Sequence, residues 1–356
     1  MLESEFWLGK KVLVTGHTGF KGGWLSLILN HLGARVSGLS LQPNDHEKLF
    51  GLLDLEAKID SHFVDMRDRW AIFDTIRACQ PELVFHLAAQ PLVNVGYMDP
   101  HGTFDTNVMG LVNLLDACLE SSALRGVLVI TSDKCYENDE RIWAYRESDR
   151  MGGSDPYSCS KGCAELIVEC YRKSYFGDAG IPLAAARAGN VFGGGDFTPG
   201  RLLPDIVDSY LQAKPLKLRN ASAVRPWQHV LEPLGGYLLL MEKMFSDLQF
   251  DSSGGWNFGP DYSQFATVKE FVAEVTQVFA LNDVKVGSDN FREASRLTLD
   301  STKARIQLGW EPVYGLREAM ILVGDWISAY ESGSNLSDVT LKQFDEYCHR
   351  LLNKCE

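Results

Sequence analysis

A tyrosine and a lysine stand four residues apart in Tyr157-Ser158-Cys159-Ser160-Lys161, a spacing that puts both on one face of a helix. An ammonium beside a phenol favours the phenolate and lowers the tyrosine pKa. Such a pair could take the proton of a hydroxyl while hydride leaves the same carbon. Upstream, Thr131-Ser132 is followed by Asp133-Lys134. The Ser132 hydroxyl could orient the same oxygen, and the two charged side chains could take a proton from one carbon and protonate the hydroxyl leaving its neighbour. An adjacent aspartate and lysine favour carboxylate and ammonium, however, the opposite of the forms this division of labour needs.

These groups need a scaffold, and the first half of the chain reads as one. Short apolar runs at Lys11–Thr15, Arg35–Leu39, Leu83–Leu87, Gly126–Thr131 and Leu183–Arg187 alternate with helical patterns such as Trp24-Leu25-Leu27-Ile28-Leu32 and Val108-Leu111-Leu114-Leu115-Cys118. Parallel strands joined by crossover helices read this way, and the expected fold is α/β with a doubly wound parallel sheet. After Asn190 the pattern loosens into a smaller mixed α/β lobe, with a helix near Asp205–Gln212. The expected division is residues 1–188 for a dinucleotide and 189–356 for a substrate, with the chain crossing between lobes. The Trp256–Pro260 cluster reads as core, and His229 as a buried structural histidine.

The first strand runs into Thr15-Gly16-His17-Thr18-Gly19-Phe20-Lys21-Gly22, and a helical pattern follows at once. Glycines there allow a tight turn and close backbone approach to a pyrophosphate, which the helix N-terminus then meets with amide N–H groups. The net charge of −13 over 356 residues excludes nucleic acid and anionic membrane surfaces as general partners. A phosphorylated ligand must therefore be held by local donors. No apolar segment approaches the ~20 residues of a membrane span. The eight cysteines form no CxxC pair and read as reduced thiols, and no metal is expected.

Glycines at 16, 19 and 22 resemble the TGxxGxxG loop of the extended short-chain dehydrogenase/reductase superfamily, and His86-Leu87-Ala88-Ala89-Gln90 resembles its HxAA segment. The resemblance implies a Rossmann lobe whose dinucleotide is held by Gly16, Thr18, Gly19, Phe20, Lys21, Gly22, Asp65, Met66, Leu87, Ala88, Ala89 and Thr106, together with Tyr157 and Lys161. Asp65 would meet the adenine amino group. Lys21 reads equally well as a phosphate ligand or a solvated helix residue. NAD is expected over NADP, because Gly38-Leu39-Ser40-Leu41-Gln42 carries no arginine for a 2′-phosphate, although it also lacks the acid of a ribose contact.

The string from Thr131 to Tyr136, with Asp155-Pro156-Tyr157-Ser158 and Arg225-Pro226-Trp227-Gln228-His229-Val230, resembles the family of CDP-glucose 4,6-dehydratases over nearly the whole chain. Relatives acting on dTDP-glucose carry Asp-Glu where this chain has Asp133-Lys134. The resemblance implies a catalytic set of Ser132, Asp133, Lys134, Tyr157 and Lys161. Tyr157 would deprotonate O4, Lys134 take the C5 proton and Asp133 protonate O6, with hydride returning to C6. Asn107, Asn190, Arg201, Leu202 and Arg225 would bind the nucleotide sugar, CDP-glucose. A cytoplasmic homodimer or homotetramer would pack through the helices near 108–118 and 157–175. The alternatives are a nucleotide-sugar epimerase, a 4,6-dehydratase of another nucleoside-diphosphate hexose, and a catalytically silent dinucleotide sensor. Asp133-Lys134 argues against the epimerase, and intact Ser132, Tyr157 and Lys161 argue against the sensor.

Overall fold

The computed structural model describes residues 4–218, 220–247, 249–279, 284–286 and 295–355. Six of the strands of its main sheet are β1 (Lys11–Thr15), β2 (Arg35–Ser40), β3 (Asp60–Phe63), β4 (Leu83–His86), β5 (Gly126–Ile130) and β6 (Leu183–Ala188). The seventh is Gly255–Phe258, from far down the chain. The order is Gly255–Phe258, β6, β5, β4, β1, β2, β3, and all pairings are parallel.

Residues on each strand alternate between two hydrophobic clusters. Val12, Val14, Phe85 and Leu128 belong to one, and Leu13, Val84, Val127 and Val129 to the other. Both faces of the sheet are thus covered, which is why the strands read as continuous apolar runs rather than as an alternation of apolar and polar residues. Chain order reverses between β1 and β4. At such a switch point the two flanking loops diverge and leave a crevice at the carboxyl ends of the strands.

The Phe20–His31, Arg69–Cys79, Gly110–Leu119 and Pro156–Tyr171 helices are the connections. The remainder is mixed, with helices at Leu202–Leu211, Val268–Val278 and Leu316–Glu331 and short two-stranded pairs that include Val191–Phe192 with Gln228–His229. The Leu231–Ser246 helix is buried along most of its length and packs beside β5. Among the described residues, no helix is long and apolar enough to cross a membrane. The seven cysteines with described side chains are free thiols. The side chain of Cys355 lies outside the described residues.

Candidate active site

The end of β5 and the start of the Pro156–Tyr171 helix bring the expected catalytic groups together. Beyond β5, Ser132 Oγ accepts the Lys134 backbone N–H at 3.2 Å, and this local turn fixes Asp133. Across from it, Asp155 caps the helix by accepting the Ser158 N–H at 2.9 Å, and Pro156 occupies its first position. Both features define where a helix begins, so Tyr157 and Lys161 take up the buried face of its first turns. Ser132, Asp133, Lys134, Tyr157 and Lys161 all line one cavity of about 710 Å³, shared with Phe20, Lys21, Leu87, Ala89, Asn190, Arg201, Leu202 and Arg225. A second hollow of about 520 Å³ adjoins it across Val93, Lys134 and Arg225.

Burial dominates the electrostatics. Asp133 is 3% exposed. Its Oδ1 accepts from Ser132 Oγ at 2.8 Å, whereas Oδ2 is buried without a hydrogen-bond partner. Burial pushes its pKa above the usual carboxylate range, and Lys134 and the Ser132 hydroxyl only partly offset this. The neighbouring lysine favours the carboxylate, as expected, but desolvation acts more strongly in the other direction.

Tyr157 is shifted in the same direction. Within the protein alone burial pushes its phenol up to about 12, although a hydrogen bond with Ser132 and the charge of Arg201 act the other way. Lys161 is itself lowered to about 8 by burial, and its Nζ reaches the Ile130 carbonyl at 3.4 Å. Burial thus pushes both the phenol and the ammonium toward their neutral forms, and any further positive charge in the cavity would act in favour of the phenolate.

The glycine loop fits a dinucleotide. Gly16 has φ +75°, and a Cβ there would lie 2.8 Å from Ala88 N. At Gly22 a Cβ would lie 2.0 Å from the Gly16 carbonyl oxygen, so the turn admits no side chain at that position. The Phe20–His31 helix has no side-chain cap at Gly19, which leaves its first N–H groups for a phosphate. Thr15 Oγ1 accepts the Leu87 and Ala88 N–H groups, each at 3.1 Å, and meets His86 Nδ1 at 2.8 Å. With its lone pairs so engaged it donates to the ring nitrogen. Burial lowers the His86 pKa to about 3, so the ring is a neutral acceptor. Lys21 is not a solvated helix residue. It faces the cavity, and burial, reinforced by Lys161 and Arg201, lowers its pKa to about 7.

Other expected residues are placed around this centre in different ways. Thr18 is buried and bonds Ser40 Oγ at 2.8 Å, tying the loop to the end of β2. Asp65 follows β3 and holds Arg67 at 2.6 Å. The Met66 side chain is core, and its carbonyl accepts from Asn113. Thr106 and Asn107 lie in a π-helical turn, Asp105–Met109. The Asn107 amide accepts from Gln90 N at 2.7 Å and donates to the Gln90 carbonyl and to Ser160 Oγ. Both of its amide protons are therefore used within the protein, and it braces the site from behind rather than lining the cavity. His229 is buried among Trp24, Phe192 and Tyr314 with its pKa lowered to about 3, a structural role.

Sequence reasoning missed Asp196 and Glu165. Asp196 lines the cavity and holds Arg201 at 3.0 Å. Glu165 is buried behind the catalytic strand end. Neither carries a spacing signal, because each acquires its role only from what the fold sets opposite it. Among the described residues, Asp60, His62 and Cys79 have metal-type donor atoms within 4.8 Å of one another, but none of the three lines the cavity.

Comparison with known proteins gives a consistent picture. Residues 13–321 match the family described as GDP-mannose 4,6 dehydratase. The chain is 43% identical to the CDP-glucose 4,6-dehydratase of Salmonella typhimurium, with 98% of each chain covered. It is 24% identical to the UDP-glucose 4-epimerase of Mycoplasma pneumoniae over 87% of this chain and 94% of that one. The solved dTDP-glucose 4,6-dehydratase of Streptomyces venezuelae, which holds NAD, superposes with a TM-score of 0.77 at 20% identity, covering 91% of this chain and 98% of that one.

Proposed function

This chain belongs to the GDP-mannose 4,6-dehydratase family, and from that premise we propose that it is a hydro-lyase converting CDP-glucose to CDP-4-keto-6-deoxyglucose with NAD. The observation that carries this reading is the unpartnered, buried Asp133 Oδ2 beside Ser132 and Tyr157. An epimerase needs no acid for a departing hydroxyl, whereas a dehydratase does. The relative at 43% identity is named for the same conversion.

NAD, when bound, supplies a hydride acceptor, a hydride donor and a positive charge. Tyr157 takes the O4 proton, with Ser132 orienting that oxygen. A 4-keto group acidifies the C5 proton, and Lys134 removes it. Asp133, held toward its protonated form by burial, gives its proton to O6 as water leaves. Lys161, one helical turn beyond Tyr157, contributes positive charge to the same cavity.

The dinucleotide lies along Gly16, Thr18, Gly19, Phe20, Lys21 and Gly22, with Leu87, Ala88, Ala89 and Thr106 beside it and Asp65 and Met66 at the adenine. Asn190, Leu202 and the guanidinium groups of Arg201 and Arg225 take the nucleotide sugar, since a planar fork matches phosphate oxygens at two points. Residues 1–188 serve mainly the dinucleotide and 189–356 mainly the sugar nucleotide. We place the enzyme in the cytoplasm as a homodimer or homotetramer. The exposed Met109 and Leu166 and Tyr175 on the 105–119 and 156–176 helical segments supply apolar area for that contact.

Incubation of purified protein with NAD and CDP-glucose, followed by ultraviolet absorbance in alkali, is expected to show the band of a 4-keto-6-deoxy sugar. dTDP-, UDP- and GDP-hexoses run in parallel are expected to give little. A band with one of those and none with CDP-glucose would overturn the substrate, and no band with any of them would overturn the dehydratase.

A further inference from the structure

Behind the catalytic strand end lies a buried ion pair that the mechanism above does not use. Glu165 is one helical turn beyond Lys161, as Lys161 is one turn beyond Tyr157, so the three share a face of the Pro156–Tyr171 helix. Arg187, on β6, grips the Glu165 carboxylate at two points, Nε at 2.8 Å and Nη2 at 2.7 Å. The side chains are 3% and 5% exposed. Glu165 Oε1 also accepts from Thr131 Oγ1, the residue directly before Ser132. Arg187 Nη1 donates to Tyr136 Oη at 2.6 Å, on the other side of Asp133-Lys134-Cys135. The pair therefore grasps the strand end on both sides of its reactive residues.

We propose that Glu165 and Arg187 are positioning residues of the proton relay: they fix the Thr131–Tyr136 segment, and they keep a compensated negative charge one turn below Lys161. The groups acting on Lys161 are Lys21 from the Phe20–His31 helix, His86 from β4, Cys135 beyond β5 and Glu165 from its own helix; Asp133 shares the cavity wall with it, and Arg187 from β6 stands against Glu165. Glu165 is the leading influence that raises the Lys161 pKa against burial. A buried pair that loses one partner leaves its other charge uncompensated. Losing the carboxylate adds net positive charge behind Lys161 and Tyr157, and losing the guanidinium adds net negative charge, so the two halves should move both groups in opposite directions.

The inference rests on the dehydratase reading and is tested on the holoenzyme by the pH dependence of 4-ketohexose formation in a single turnover with CDP-glucose. Wild-type protein that forms no 4-ketohexose would sink the reading itself. Given wild-type activity, Glu165→Gln leaves the Arg187 charge uncompensated, which favours the phenolate. The acid limb, where the rate rises as Tyr157 loses its proton, is expected to shift down by about one pH unit. Arg187→Met leaves the Glu165 carboxylate unopposed, and its limb is expected to shift up. Glu165→Asp keeps the charge and is expected to lower the rate with the limb in place. A purely structural pair would lower the rate in all three variants with no movement of the limb, and that result, or shifts of the same sign in Glu165→Gln and Arg187→Met, would overturn the proposal.

Discussion

Tyr157→Phe is expected to lower the rate of CDP-4-keto-6-deoxyglucose formation by about a hundred- to ten-thousand-fold, the usual contribution of a positioned proton acceptor. Without the phenol there is no base for O4, and both the oxidation and everything after it stop. Binding of CDP-glucose should change by less than about tenfold, since only one hydrogen bond to the sugar is removed. The substitution also removes the acid limb of the pH profile. That limb should be absent from the variant and present in the wild type, because burial pushes the Tyr157 phenol up to about 12 and the positive charge that NAD would supply acts against burial. Steady-state kinetics across pH, with sugar-nucleotide titration for affinity, check all of this. A variant retaining a tenth of the wild-type rate would contradict it.

The second large effect separates oxidation from water loss. Asp133→Asn removes the proton donor to O6 but leaves Tyr157, Lys161 and Ser132 in place. The expected result is loss of 6-deoxy product by about a hundred- to ten-thousand-fold, with C4 oxidation persisting. Quenching with borohydride should then yield glucose and galactose, the two reduction products of a 4-ketohexose, instead of 6-deoxy sugars. Lys134→Ala is expected to give the same pattern and, in addition, to stop exchange of the C5 proton with solvent deuterium. Near wild-type product formation and C5 exchange in Lys134→Ala would remove Lys134 as the base. The Asp133 assignment would survive that result, because its support is the buried, unpartnered Oδ2.

Much of the scaffold could be read from residue types, for a physical reason. Strands covered on both faces are apolar throughout, and β1 and β6 begin at the expected residues. The Trp256–Pro260 cluster reads as core, and its buried Trp256 and Phe258 belong to the Gly255–Phe258 strand. Its pairing with β6 was not legible, because nothing in four residues specifies a partner distant along the chain. The same limit applies to the site. Tyr157 and Lys161 were legible because helical spacing sets their relation. The state of Asp133 was not, because burial outweighs its sequence neighbour Lys134. Lys21 could not be told from a solvated residue until the cavity wall was known, and the roles of Glu165 and Asp196 depend wholly on Arg187 and Arg201 opposite them.

The central claim is that oxidation begun at O4 by Tyr157 is diverted by Asp133 and Lys134 into loss of water from C5 and C6. It is tested most directly by following one hydrogen. CDP-glucose carrying deuterium at C4 is converted by the enzyme, and the product is examined by NMR. The account predicts the deuterium at C6 of a 4-keto-6-deoxy sugar. Deuterium retained at C4 of a hexose that keeps its 6-hydroxyl would contradict it and point to an epimerase.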